Sequence, residues 1–238
     1  MLNFTKPVHY KARVIEKTQL TSKVFWARYQ LIKPPTLTFV AGQTIMITVA
    51  PNIYRPMSIA SPPQENTVIT SIQDVSPDGP GSKWMEALKV RDTLEFMAPL
   101  GRFVIDRESP RKRVLVATGT GIAPFRSMLL DCLDGLACKK AMSLYWGLRF
   151  AEDVYLQDEL KQLIKDYTNL SYYLILSKPP EDWTGLKGHV TEFVFTNEKD
   201  PKNCDFYLCG NKAMITEIQK KLAEKGVSAE QTKFDPFY

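Results

Sequence analysis

The stretch Val114–Leu130, VLVATGTGIAPFRSMLL, decides how the chain is read. Val114, Leu115, Val116 and Ala117 form an apolar run of strand length. Thr118-Gly119-Thr120-Gly121 follows, and glycine takes backbone angles closed to other residues. Pro124 suits the first turn of a helix, where no backbone N–H is needed. Phe125, Met128, Leu129, Cys132 and Leu133 then recur at helical spacing and give one apolar face. A strand that feeds a helix through a glycine turn aims free N–H groups at whatever lies above it, most often a phosphate. Pro124 stands where the dinucleotide fingerprint G-x-G-x-x-G has its last glycine, and the Lys-Ser/Thr pair of a triphosphate loop is missing. Alone, the stretch fits either a phosphate seat or a purely structural β-turn-α unit. Its surroundings decide.

Downstream, strands predicted at Val114–Ala117, Met142–Gly147, Tyr172–Ser177 and Phe206–Cys209 alternate with helices near 124–133, 156–166, 189–195 and 211–225. That alternation argues a parallel sheet with helices on both faces. Ligands of such sheets bind at the carboxyl ends of the strands. Gly119–Gly121, Tyr145–Arg149, Ser177-Lys178 and Cys209-Gly210 all fall at such ends. The natural ligand of four converging segments is a dinucleotide. His189 follows a glycine at a helix start, which suits a structural or capping role.

Upstream, Ala12–Glu16, Val24–Leu31, Thr44–Ala50, Val68–Val75 and Thr93–Met97 are short runs with β-branched and aromatic residues. Lys33-Pro34-Pro35, Ala41-Gly42-Gln43, Ser61-Pro62-Pro63 and Pro77–Gly81 separate them as turns. The pattern predicts a small antiparallel β-barrel, interrupted by one helix near 82–88 behind a second glycine turn, Gly79-Pro80-Gly81. A polar, charged stretch, DRESPRKR at 106–113, marks the domain boundary. The expected organisation is a β-barrel domain over residues 1–106 followed by an α/β parallel-sheet domain over residues 107–238.

The 238 residues are 44% hydrophobic and 24% charged, enough for a packed core and ordinary for a globular chain. No apolar run reaches the ~20 residues that span a bilayer, and the first residues carry no signal-peptide core. A cytoplasmic location with four reduced cysteines is therefore expected, at 132, 138, 204 and 209. Their spacing is not that of an iron–sulfur cluster, and no metal site is expected. The net charge of +5 includes the clusters Arg111-Lys112-Arg113, Lys139-Lys140 and Lys220-Lys221. These read as solvated surface charge or as a docking face for an acidic partner, with little support for nucleic-acid binding. Two histidines give a histidine-based hydrolase poor support.

The first domain carries Tyr54-Arg55-Pro56-Met57-Ser58. Arg55 offers a planar donor fork suited to a phosphate, and Ser58 a hydroxyl for a ring nitrogen. This stretch resembles the R-x-[YF]-S motif of the ferredoxin–NADP(+) reductase superfamily. Gly79-Pro80-Gly81-Ser82 resembles its G-x-x-S segment, Leu100-Gly101-Arg102-Phe103 its PLGRF, and Gly119–Phe125 its GTGIAPF. Tyr145-Trp146-Gly147, Trp183 with Gly188, and Tyr207–Gly210 resemble its later signatures, in the right order over nearly the whole chain.

The resemblance implies bound FAD and a reaction with NADPH or NADH. Arg55 and Pro56 would belong to the flavin-phosphate motif, and Ser58 would hydrogen-bond near flavin N5. Gly81 and Ser82 would hold the FAD pyrophosphate. Thr120, Gly121 and Pro124 would line the NAD(P) pyrophosphate, and Cys209 would sit near the nicotinamide. Met57 stands where the family commonly stacks an aromatic ring on the flavin. Phe237 or Tyr238 would cover the flavin on the nicotinamide side, whereas the glutamate near the end of plant-type members has no match. Ser177-Lys178 resembles the Ser-Arg pair of NADP-selective relatives and leans the reading towards NADPH. The implied enzyme passes electrons from NAD(P)H through FAD to a small acidic carrier (ferredoxin or flavodoxin) or another acceptor. The alternatives are an electron-transfer subunit of a larger oxygenase or dehydrogenase complex, or a reductase of free flavin. The C-terminal cysteine cluster of some such subunits is missing here.

Overall fold

A computed structural model describes residues 4–236. The chain divides into two compact units. One runs to Ile105 and includes Ala123–Ala137; the other comprises Asp106–Ile122 and the chain from Cys138 onward.

The first unit holds β1 (Val8–Gln19), β2 (Val24–Lys33), β3 (Thr44–Ala50), β4 (Ile53–Ser58), β5 (Val68–Asp74), helix α1 (Pro80–Ala87) and β6 (Thr93–Leu100). The strands form one antiparallel sheet in the order β4-β3-β6-β1-β2-β5. Beyond β4, Ala60 N–H donates to Thr70 O on β5 at 2.8 Å, and Thr70 N–H to Ser61 Oγ at 3.1 Å. These bonds draw the two edge strands together and curl the sheet towards a barrel. Alternation with period two supplies the core: Tyr10, Ala12 and Val14 on β1, Ala27, Tyr29 and Leu31 on β2, Leu94, Phe96 and Ala98 on β6. Tyr10 and Phe96 are register partners whose rings stack at 5.4 Å.

The second unit is built on β7 (Lys112–Thr118), β8 (Met142–Leu148), β9 (Leu170–Leu176), β10 (Leu186–Lys187), β11 (Cys204–Gly210) and β12 (Thr232–Pro236). All pairs are parallel, in the order β10-β9-β8-β7-β11-β12. The intervening helices are α2 (Ile122–Leu130), α3 (Gln157–Asp166), α4 (Val190–Asn197) and α5 (Lys212–Glu224). Val114, Val116, Phe206 and Leu208 pack with Val190 and Val194 of α4 and with Met214, Ile215, Ile218 and Leu222 of α5.

Helix α2 follows β7 in sequence, yet from Ala123 onward it groups with the first unit. Arg126 Nη1 donates to Ala60 O at 2.8 Å and its guanidinium lies 4.9 Å over the Trp26 ring. Ser127 Oγ donates to Ser61 O at 2.7 Å, and Gln64 Nε2 to Asp131 Oδ1 at 3.0 Å. Residues Asp131–Gly135 widen into a π-helical turn.

Three strands depart from the sequence expectation, the shortest being β10, two residues paired with β9. The motif Tyr54–Ser58 is itself a strand, β4, hidden by Pro56; proline is tolerated there because β4 is an edge. The C-terminal tail reads in the sequence only as an aromatic cover, but Thr232–Pro236 adds a sixth parallel strand. His189 does begin α4, yet its side chain makes no capping hydrogen bond.

Candidate cofactor sites

In the first unit, Arg55, Gly81 and Gln73 meet at the start of α1. A Cβ on Gly81 would come within 3.3 Å of both Arg55 Cγ and Gln73 Nε2. The chain therefore passes the two side chains at a distance only glycine allows without displacement. Arg55 is half-buried and donates from Nη1 to Tyr54 O at 2.8 Å. Gln73 Oε1 is buried and, among the described residues, has no hydrogen-bond partner. A buried acceptor left unpaired costs about 1–3 kcal/mol, and a bound donor would remove that cost. Gly81 and Ser82, both buried, lie in the first turn of α1, where backbone N–H groups have no intrahelical acceptor. A guanidinium and a helix N-terminus fit the phosphates of FAD, and the unpaired amide oxygen, an acceptor only, fits one of its hydroxyl groups. Sequence reading misses Gln73, since an isolated glutamine on a strand carries no signal.

Strand β4 presents two faces. Ser58, half-buried, shares one with the exposed Tyr54 and Pro56, while Arg55 and Met57 share the other. Met57 is 8% exposed and packs into the barrel core.

In the second unit, β7, β8, β9 and β11 end at one edge of the sheet. The turn Gly119–Gly121 is one turn of 3₁₀-helix leading into α2. Gly121 lies against the end of β11: a Cβ there would stand 2.2 Å from Cys209 O. Asn211 N–H donates to Thr118 Oγ1 at 2.8 Å and ties the same two strand ends together. Thr120 is buried in this turn, and Pro124 is buried in the first turn of α2. A tight turn with unspent N–H groups at the carboxyl edge of a parallel sheet suits a dinucleotide pyrophosphate.

Cys209 is fully buried beside this turn. Burial pushes its thiol well above the ordinary range, and Asp235, its register partner on β12, adds to the effect. Both effects favour the neutral thiol. Burial also raises the carboxyl of Asp235 itself. Sequence reading passes over Asp235 because β12 carries no strand signal.

Ser177 and Lys178 are both exposed just past β9. Lys178 N–H donates to Arg149 O at 2.8 Å, so two exposed cations stand at neighbouring strand ends. Arg149, whose guanidinium lies 5.0 Å over the Phe150 ring, has no individual role in the sequence reading. Phe237 and Tyr238 lie outside the described residues.

The cluster at 111–113 is tied into the fold, with Arg111 and Lys112 still partly in solvent. Arg113 is 1% exposed, Lys112 Nζ meets the buried Glu198 at 2.8 Å, and Arg111 bonds Asp205 at 3.3 Å. No cluster of metal-ligating side chains occurs among the described residues. No helix of the described residues is long and apolar enough to cross a membrane.

An antiparallel barrel with a phosphate cradle, followed by a parallel sheet with a pyrophosphate turn, defines a flavin- and nicotinamide-binding oxidoreductase. Residues 11–105 match the oxidoreductase FAD-binding domain family and residues 115–220 the oxidoreductase NAD-binding domain family. The chain is thus built from these two oxidoreductase domain families, and it has the fold of the ferredoxin–NADP(+) reductases. It is 33% identical over 199 residues to a component of the Na(+)-translocating NADH-quinone reductase of Pseudomonas aeruginosa, covering 78% of this chain and 49% of that protein. The Haemophilus influenzae counterpart of that component is 29% identical over 201 residues, with the same coverage. The chain thus spans about half the length of the curated relatives it matches. Among solved structures, the Amycolatopsis cytochrome P450 reductase GcoB superposes with a TM-score of 0.89 at 22% identity, covering 97% of this chain and 70% of that one. The ferredoxin NADP+ reductase of Neisseria gonorrhoeae, with bound FAD and NADP, gives 0.82 at 19%, covering 97% and 99%.

Proposed function

We propose that this protein is an NAD(P)H-dependent flavoprotein reductase with a preference for NADPH. When bound, FAD accepts hydride from a reduced nicotinamide and passes electrons on singly or in pairs. The chain supplies binding and orientation. Arg55 and the first turn of α1 hold the FAD phosphates, and Gln73 Oε1 accepts from a hydroxyl of the cofactor. Ser58 offers its hydroxyl to the flavin ring near N5. Thr120, Gly121 and Pro124 seat the nicotinamide dinucleotide. Catalysis by positioning needs no acid–base triad. The observation that carries this reading is the close approach of Arg55 to Gly81 in the first turn of α1, which brings a guanidinium-bearing side chain to a helix N-terminus.

The preference for NADPH rests on Arg149 and Lys178. Two cations and the Ser177 hydroxyl at adjoining strand ends complement a 2′-phosphate, and no acid stands at either position to favour a bare ribose. Relatives named as NADH enzymes do not decide this, since the charge belongs to this chain. A small acidic electron carrier remains the acceptor we favour. GcoB, named as a cytochrome P450 reductase, and the ferredoxin reductase of carbazole 1,9a-dioxygenase belong to oxygenase systems, which makes a partner oxygenase the second reading.

The test is kcat/KM with NADPH and NADH for FAD-loaded protein and for Lys178→Glu, using ferredoxin, flavodoxin and free FMN as acceptors in turn. The reading expects NADPH to be preferred, and Lys178→Glu to cut the NADPH/NADH ratio by about tenfold. Equal use of both nucleotides, unmoved by Lys178→Glu, would overturn the assigned preference.

A further inference from the structure

Trp146 on β8 is fully buried, and its one polar atom leaves the core for the dinucleotide turn. The indole Nε1 donates to Gly119 O at 2.9 Å. The hydroxyl of Tyr155 donates to the same oxygen at 3.3 Å. The two rings meet edge to face, with centroids 4.9 Å apart and planes at 83°. A carbonyl oxygen has two lone pairs, so both acceptor positions of Gly119 are taken. Gly119 itself has φ +54°, with open space where a Cβ would stand. Its glycine serves the left-handed backbone, not a close contact, and that backbone needs something to hold it. A trans peptide is planar, so its N–H points opposite to its C=O. Two donors on Gly119 O therefore aim the Thr120 N–H the other way, and the first turn of a helix offers that N–H no acceptor of its own.

We infer that Trp146 and Tyr155 are positioning residues for the nicotinamide dinucleotide, clamping the Gly119–Thr120 peptide so that its N–H is aimed at the pyrophosphate before the ligand arrives. This rests on reading Gly119–Gly121 as the pyrophosphate seat. A buried tryptophan usually finds some acceptor for its N–H, but here a second donor of a different residue converges on the same atom.

The variants Trp146→Phe and Tyr155→Phe keep a ring and delete the donor. Each is compared with wild type in the FAD-loaded full chain, following anaerobic flavin reduction by two hydride donors. One is NADPH; the other is 1-benzyl-1,4-dihydronicotinamide, which has no phosphate. The expected result is a five- to tenfold rise, roughly one lost hydrogen bond, in the NADPH concentration that half-saturates reduction. Reduction by the phosphate-free donor should stay within about twofold of wild type, with FAD content unchanged. A merely structural role would slow both donors alike, and that outcome would overturn the inference, as would unchanged NADPH dependence in both variants. If Trp146→Phe fails to hold FAD, Tyr155→Phe decides alone. If wild type shows no advantage for NADPH over the phosphate-free donor, the pyrophosphate reading itself fails and the clamp falls with it.

Discussion

At the scale of single residues, burial and charge decide what each side chain can do. Arg55 brings a permanent charge to the α1 turn, and a charge-assisted hydrogen bond contributes about 1.5–3 kcal/mol. Arg55→Ala should therefore weaken FAD binding about tenfold to a hundredfold, measured by equilibrium dialysis; unchanged affinity would refute its role. Two cysteines are silenced by burial: Cys204 is pushed up to about 11 by desolvation and the nearby Glu198, and Cys209 is raised by desolvation and Asp235. Native protein treated with a thiol reagent near neutral pH should be modified first at the half-buried Cys138, as peptide mapping will show. Asp235 gives a pH signature. Its folded pKa is raised by burial, so its stabilising contribution is full below the ordinary carboxylate value, about 3.9, and is lost as pH rises through the folded pKa. Asp235→Asn should melt higher than wild type at about pH 8, with the gap closing as the pH falls. A gap that does not change with pH would contradict this assignment.

At the scale of elements, the same backbone event occurs twice along the chain: a glycine turn, then a helix whose first N–H groups have no intrahelical acceptor. This recurrence was legible because Gly79-Pro80-Gly81 and Gly119-Thr120-Gly121 use residues whose backbone limits are strong. Strand β4 was not legible as a strand, since Pro56 and Arg55 break its alternation and only its edge position makes them tolerable. Strand β12 was equally hidden, because Thr232–Pro236 is polar and short and becomes a strand only by pairing with β11. The Arg111–Arg113 charges show why composition misleads. Lys112 donates to both oxygens of Glu198, at 2.8 and 2.9 Å, and Tyr145 adds a third bond at 2.8 Å. Removing one partner of a buried pair typically costs about 3–5 kcal/mol; Lys112 keeps a third of its side chain in solvent, so the low end applies. Glu198→Ala should lose about 3 kcal/mol in urea unfolding while retaining its FAD content. Loss of FAD at full stability would instead tie this network to the cofactor.

For the whole molecule, the order of the two folds was readable because the hydrophobic period changes from short β runs to strand–helix alternation near residue 106. The grouping of α2 with the first unit was not, because chain order says nothing about which core a helix packs against. Arg126 and Ser127 make that grouping through Ala60, Trp26 and Ser61. The cradle of Arg55, Gln73 and Gly81 was half legible: its arginine and glycine stood in motifs, but Gln73 emerged only when β5 was placed beside α1. What matters most is whether this chain holds FAD and lets a nicotinamide reduce it. Anaerobic stopped-flow mixing of FAD-reconstituted protein with NADPH, and separately with NADH, read at the flavin absorption band, measures both at once. The expected result is a yellow protein that bleaches with saturating dependence on NADPH and less efficiently with NADH. A chain that cannot retain FAD, or whose bound flavin stays oxidised with both nucleotides, would contradict the proposed function.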